Sequence, residues 1–144
     1  MKRIALLAMT LIAFGAHAAE SRVVTEEQQR LAELAGLWNV RQSVWPTPGA
    51  TPQVDAGTAV FTTELAGRHL RQDLRVSSST PFQGLGYMGF DVATQTYYAT
   101  WLDINLTGVL VMHGDYDAGL RTYRLRGALA FERGQAAIPT REEV

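Results

Sequence analysis

The histidine and acidic residues of this chain are too scattered to predict a metal site. His113 and Asp115 are two residues apart, a spacing that puts both side chains on one face of a strand, and Asp103 precedes them on the next strand back. Because sites built from His, Asp and Glu need three or four converging ligands, this trio is a poor constellation. A haem would need His69 or His113 as an axial ligand, and no motif supports it. We expect no metal and no cofactor.

Nucleophilic catalysis has equally little support. Ser77–Ser79 form a turn without an elbow motif, and a serine nucleophile needs a base beside it. His69 and Asp73 share a strand face with Arg71 and Arg75, which is typical of a solvated face with cross-strand pairs. An alternative is that the basic members of this face bind an anionic group. An enzyme, such as a hydrolase, is therefore the least favoured hypothesis.

Two glutamines give a better indication of a site. Gln42 and Gln72 each interrupt an otherwise apolar strand face. A buried amide needs hydrogen-bond partners, which a ligand, the backbone or buried water could supply. Polar groups in apolar walls are what a ligand cavity uses to orient its guest. The predicted ligand-binding residues are Gln42, Gln72, Met88, Tyr97 and Trp101, with the alternative that the large ones are simply core.

A short helix precedes these strands. Thr25 and Gln28 fit a capping box, and the apolar stripe that follows predicts a helix over residues 25–35, which Gly36 ends. The run Gly36-Leu37-Trp38 is typical of the mouth of the first strand in small ligand-binding barrels. We expect Trp38 to plug one end of the barrel, and Trp45 to lie at its rim.

From residue 37 to 131 the hydrophobic period is two, which indicates strands separated by short turns. Without a second helix pattern, this spacing favours an antiparallel sandwich or barrel. The predicted strands are Leu37–Trp45, Thr58–Leu65, Arg68–Val76, Phe82–Asp91, Tyr97–Asp103, Val109–Tyr116 and Arg121–Phe131.

The N-terminus predicts export. Met1–Arg3 is a basic region, Ile4–Gly15 is apolar, and Ala16–Ala18 is an A-x-A cleavage site, so residues 1–18 read as a signal peptide and residues 19–144 as one domain. The apolar run is shorter than the roughly 20 residues of a spanning helix, so we expect a periplasmic or secreted protein without stable membrane insertion after cleavage.

The composition narrows the class of partner. Removing Lys2 and Arg3 from 13 basic residues leaves 11 against 14 acidic residues, a net charge of −3 that does not suit nucleic acid. The chain has no cysteine, which excludes disulfides, thiol catalysis and cysteine-bound metal. The domain must therefore be held together by its apolar core.

Six segments in order resemble a bacterial family known as domain of unknown function 1579, a member of the calycin-like barrels. They are Leu34–Val40, Leu65–Gln72, Pro81–Asp91, Tyr97–Asp103, Thr107–Val111 and Gly114–Asp117. The resemblance implies an all-β fold, a closed antiparallel barrel with one short N-terminal helix. It implies no assigned chemistry.

The sequence departs from that family in two places. His69 stands where similar sequences usually have an aromatic residue such as Phe, and Thr140–Val144 reads as the start of a strand after which similar proteins have about two more. One interpretation is a barrel incomplete at its C-terminus, whose unpaired edges favour self-association. The other is a barrel that closes with fewer strands.

These observations lead to a hypothesis about function with one main alternative. We expect an exported barrel protein that binds a small, largely apolar molecule inside the barrel. The alternative is a structural or interaction module whose interior is filled by side chains, as in many small barrels. A cavity of roughly 300 Å³ or more favours binding.

Overall fold

One antiparallel sheet and one short helix make up the fold. A computed structural model describes residues 23–44, 49–77, 81–130 and 136–144. The helix is α1 (Glu26–Ala32). The strands are β1 (Gly36–Val44), β2 (Gln53–Glu64), β3 (His69–Ser77), β4 (Phe82–Asp91), β5 (Thr96–Asp103), β6 (Leu110–Asp117), β7 (Thr122–Leu129) and β8 (Ile138–Glu143).

Each strand pairs with its neighbours in sequence, so the sheet order is β1 to β8 without a crossover. The sheet curls into a half-barrel around a single core, and α1 packs against β3 and β4 at one end. The prediction of an all-β, barrel-like fold with one short N-terminal helix is confirmed. Within the described residues, β1 and β8 each pair on one side only.

Period-two alternation sets the inner face of the sheet. On β3, Leu70 and Val76 are buried, whereas the alternate residues carry polar side chains. The same alternation continues on β4 to β7. The core is formed by Leu31, Ala59, Phe61, Leu70, Met88, Phe90, Tyr97, Ala99, Leu110, Met112, Tyr123 and Leu125.

The helix begins as predicted and ends earlier. Thr25 and Gln28 form the capping box: Thr25 Oγ1 accepts from the Gln28 amide, and the Gln28 side chain accepts from the Thr25 amide. The last helical residue is Ala32, and Glu33 is the C-cap, so the prediction of a helix to residue 35 was wrong. Gly36 is instead the first residue of β1, and its φ of 143° is a backbone conformation that glycine adopts more readily than other residues.

Strand boundaries differ most at β2, which starts at Gln53 rather than Thr58. Residues 53–57 pair with Val40–Val44 of β1. This pairing extends β2 toward the N-terminus beyond Gly57, where the sequence has a low propensity for β-strand. The other six predicted strands agree within two residues at each end. The expected strand at Thr140–Val144 is present as β8.

The turns between the predicted strands contain left-handed residues that are not glycine. The turn after β2 holds Leu65, Ala66 and Gly67 at φ values of 51°, 60° and 81°. In the turn between β4 and β5 the left-handed residue is Gln95, and in the turn between β6 and β7 it is Arg121. The signal peptide and Trp45 lie outside the described residues.

Candidate ligand-binding cavity

A cavity of about 540 Å³ opens between β1 and the C-terminal end of β8, below the end of α1. We call it the β1–β8 cavity. Its walls come from the residues that follow α1, from β1, β2 and β3, from the turn before β7 and from the residue that follows β8. It is lined by Leu34, Trp38, Asn39, Val40, Ala59, Phe61, Gln72, Arg121 and Val144. Most of these side chains are apolar, and the volume lies within the roughly 300–1,000 Å³ of small-molecule sites.

Trp38 joins the helix end to the first wall of the cavity. Its indole Nε1 donates a hydrogen bond of 2.8 Å to the backbone carbonyl of Leu34, which fixes the exit of α1 against β1. Its ring meets Phe61 edge-on, with centroids 6.4 Å apart. The side chain is 46% exposed. Trp38 therefore forms a wall of the cavity, and its role with Gly36 as a barrel plug stays a prediction.

Gln72 is the predicted ligand residue that lines this cavity. It lies on the inner face of β3, opposite Phe61 on β2 and Gly86 on β4. Within the described residues its side-chain amide has no hydrogen bond, and it is half-buried. An amide in an apolar wall without a protein partner is available to a ligand.

The other four predicted ligand residues share the inner face but do not line the cavity. Met88 and Tyr97 belong to the packed core. Trp101 covers Gly84 and Gly86, stacks on Phe82 and donates a 2.9 Å hydrogen bond from Nε1 to Asp103. Gln42 lies on β1 opposite Asp55. Their assignment to a ligand site stays a prediction.

Tyrosines and an arginine close the helix end of the core. Arg30 donates a 2.9 Å hydrogen bond to the hydroxyl of Tyr97, and its guanidinium lies 4.6 Å from the ring centroid of Tyr116. The hydrogen bond to Tyr97 raises the pKa of Arg30. Burial raises the pKa of Tyr97 and of Tyr123, and the Tyr123 hydroxyl has no partner in the described residues. Arg30 is therefore a fixed cation at this end of the molecule.

The residues first considered for metal chemistry do not converge. His113 and Asp115 share the outer face of β6, where they line a polar cleft with Arg124 and Arg126. Asp103 instead accepts hydrogen bonds from Trp101 and from the Asn105 amide. Among the described residues no group of three His, Asp or Glu side chains could hold a metal ion.

His69 and its neighbours also lie on the outer face. The Nδ1 atom of His69 lies 2.7 Å from the hydroxyl of Tyr98. His69 pairs with Gly89 on the neighbouring strand β4. Burial raises the pKa of Tyr98. Arg71 forms a 3.0 Å ion pair with Asp73. The face is polar, as expected, but its ion pair joins two residues along β3 and not two strands. Arg71, a member of the alternative anion site, is therefore already paired.

Sequence reasoning did not select Leu34, Phe61, Arg121 and Val144, which line the cavity. Alternation along β2 could have placed Phe61 on the same face as Ala59. Arg121 lies in a turn, where no periodic signal exists. Val144 reaches the cavity because its backbone pairs with Tyr123, which the sequence does not reveal.

Comparison with known proteins gives a family and no activity. A family model described as "Protein of unknown function (DUF1579)" matches residues 24–142. No curated protein and no solved structure matches the chain. In the described part of the chain, no helix has the length and hydropathy to cross a bilayer.

Proposed function

The chain belongs to the DUF1579 family of proteins of unknown function, and we propose that it binds a small, largely apolar molecule in the β1–β8 cavity. The observation that carries this proposal is the pairing of apolar walls with the unpartnered amide of Gln72. Apolar walls supply the free energy of binding through removal of ligand surface from water. The amide would orient the ligand and select for a hydrogen-bonding group.

The side-chain-filled module is the alternative function. It is favoured by the core beyond the cavity, where Met88, Phe90, Tyr97 and Tyr123 are buried in one hydrophobic cluster. The cavity volume of about 540 Å³ supports the binding hypothesis, because it exceeds the roughly 300 Å³ at which small-molecule sites begin.

Export is the second part of the proposal. The basic, apolar and A-x-A regions of residues 1–18 support a signal peptide cleaved after Ala18, and a periplasmic or secreted protein. In that compartment the protein would bind its ligand outside the cytoplasm. Protein for the binding experiment is therefore purified from a periplasmic extract, and its intact mass reports whether the chain begins at Ala19.

The binding test uses N-phenyl-1-naphthylamine, a neutral apolar amine whose fluorescence rises in an apolar site. We expect saturable binding, and a three- to tenfold increase in dissociation constant for Gln72→Leu. That range corresponds to the roughly 0.5–1.5 kcal/mol of one net hydrogen bond, from the probe N–H to the amide oxygen.

The matched control is Gln83→Leu, the same substitution at an exposed position of β4 outside the cavity. Both variants should keep the melting temperature of the parent within a few degrees. An unchanged dissociation constant in Gln72→Leu would remove Gln72 from the site. The absence of saturable fluorescence in the parent would contradict the proposed function and favour the filled module.

A further inference from the structure

Three tyrosines and one arginine at the helix end of the core form a group that we call the tyrosine–arginine cluster: Arg30, Tyr97, Tyr116 and Tyr123. The ring centroid of Tyr123 lies 5.0 Å from that of Tyr97 and 4.8 Å from that of Tyr116. The guanidinium of Arg30 lies over the Tyr116 ring and donates a hydrogen bond to the Tyr97 hydroxyl. That hydrogen bond raises the pKa of Arg30, and the charge interactions with all three tyrosines add to the rise. The three hydroxyl groups therefore lie close to one cation.

The Tyr123 hydroxyl is a buried polar group without a partner. Tyr123 is 2% exposed, and among the described residues no atom forms a hydrogen bond with its hydroxyl. Leaving a donor unbonded in the interior costs free energy, so buried hydroxyl groups in folded proteins are nearly always hydrogen-bonded. An orphaned hydroxyl beside a guanidinium therefore indicates a bound acceptor.

The Tyr97 hydroxyl has the same need. Its oxygen accepts the 2.9 Å hydrogen bond from Arg30, which leaves its own O–H without an acceptor among the described residues. Tyr97 is 4% exposed, so its hydroxyl group is also held away from bulk water. The cluster therefore combines two buried O–H donors with a guanidinium that has only donors.

The acids near the cluster do not supply an acceptor. Glu27 lies in α1 and Glu33 is its C-cap residue. Among the described residues no carboxylate oxygen lies within 4.0 Å of a guanidinium nitrogen of Arg30. Val144 pairs with the backbone of Tyr123 through its own N–H and carbonyl oxygen, and not with the hydroxyl. The donors of the cluster are left without a described acceptor.

We propose that the tyrosine–arginine cluster binds a monovalent halide such as chloride, which accepts hydrogen bonds from Tyr97, Tyr123 and Arg30. A water molecule matches these partners less well, because it brings two further donors to a place that lacks acceptors. A monovalent ion is favoured over sulfate or phosphate, because the anion must lose water to reach buried hydroxyl groups and that cost rises with charge. This inference does not depend on the proposed function.

The test is the ³⁵Cl NMR linewidth of chloride in the presence of the protein. Sodium chloride is titrated at pH 7.5, and sodium gluconate keeps the ionic strength constant. Bound chloride relaxes faster than free chloride, so we expect an excess linewidth that saturates with chloride concentration. Bromide should compete the excess away, whereas sulfate at the same ionic strength should leave it unchanged.

Tyr123→Phe should raise the dissociation constant for chloride about tenfold, because it deletes one hydrogen bond to a charged group, roughly 1.5 kcal/mol. In gluconate alone the variant should melt no lower than the parent, because the substitution also removes an unpartnered buried hydroxyl. The matched control is Tyr87→Phe, the same substitution on the outer face of β4, which should leave the dissociation constant unchanged.

Arg30→Gln should abolish the excess linewidth, because it removes the positive charge of the cluster. Its control is Arg126→Gln, which removes the same charge from an exposed position on β7 and should keep the binding. Circular dichroism checks that both variants fold. If Arg30→Gln does not fold, Tyr123→Phe carries the test by itself.

Three results would overturn the inference. The first is a parent protein without saturable excess linewidth, which would leave water as the partner of the Tyr123 hydroxyl. The second is an excess that Tyr123→Phe leaves unchanged, which would place the bound chloride elsewhere on the protein. The third is an equal loss in Arg30→Gln and Arg126→Gln, which would show a general effect of charge. Binding of N-phenyl-1-naphthylamine is measured separately, so the proposed function stands or falls on its own result.

Discussion

Glu142 puts a carboxyl group on the inner face of β8, opposite the fully buried Leu125. Burial raises the pKa of this carboxyl above its ordinary value of about 4.5, because an apolar environment disfavours the charged form. The folded state therefore holds the proton more tightly than the unfolded state. The stabilisation of the folded state by the protonated Glu142 carboxyl group is fully present when the pH is below the ordinary pKa. It is lost as the pH rises through the pKa of the folded state.

Glu142→Gln should remove this loss of folding stability at higher pH. We expect the free energy of unfolding of the variant to exceed that of the parent at pH 7 by about 0.5–2 kcal/mol, the usual size of a stabilising substitution. The difference should grow with pH from about 4.5 upward and level off above the folded pKa. Urea unfolding between pH 4 and pH 8 measures it.

Glu143→Gln is the control, because it removes a carboxylate from the opposite, exposed face of the same strand, where Glu143 lies near Arg124 and Arg141. Parallel curves of unfolding free energy against pH for the parent and Glu142→Gln would contradict the prediction.

At the same scale, the sequence identified a residue that interrupts a periodic hydrophobic pattern. It did not identify residues that reach the cavity only through the three-dimensional fold. Gln72 stood out because it interrupts an apolar face, and it lines the cavity. Arg121 belongs to a turn, and its position beside the cavity depends on how far the sheet curls. No local pattern encodes that curvature, so the place of Arg121 in the candidate site could not be predicted.

At the scale of elements, close contact between β6 and β7 depends on Gly114. A Cβ atom added there would overlap the backbone carbonyl of Arg124, which cannot move without parting the two strands. Gly108 is the contrasting position, since nothing lies within 4 Å of an added Cβ and its φ is not left-handed.

Gly114→Ala should therefore destabilise the protein by about 1–3 kcal/mol, the usual cost of overpacking, with a lower melting temperature in differential scanning calorimetry. Gly108→Ala should change stability by less than about 0.5 kcal/mol. Equal melting temperatures for the two variants would show that β6 and β7 adjust to the extra methyl group, against this prediction.

The elements themselves were predictable to different degrees. The capping box located the start of α1, because both of its hydrogen bonds are local. The start of β2 was missed by five residues, because pairing with β1 extends it past Gly57. The left-handed turn residues Gln95 and Arg121 were missed as well, because the hairpin geometry imposes those angles on residues without a preference for them.

At the scale of the whole molecule, the two edge strands of the sheet that the described residues form are protected unequally. The β8 edge carries Pro139, which lacks an amide donor, and three charged residues, Arg141–Glu143. The β1 edge carries Arg41 as its one charged residue. Beside that edge, Leu37 is 73% exposed, and its cross-strand partner Val60 is 41% exposed. Charge and proline protect edges against pairing between molecules, so β1 is the edge open to self-association.

We therefore expect the parent to self-associate through β1, with an average mass from sedimentation equilibrium that rises with protein concentration. Leu37→Lys should weaken this association about tenfold or more, because it adds a positive charge to the β1 edge, on the same face of the strand as Arg41. Leu120→Lys is the matched control, since Leu120 is 62% exposed in the turn before β7. A parent that stays monomeric at every concentration, or equal weakening by both variants, would show that the β1 edge is not the contact.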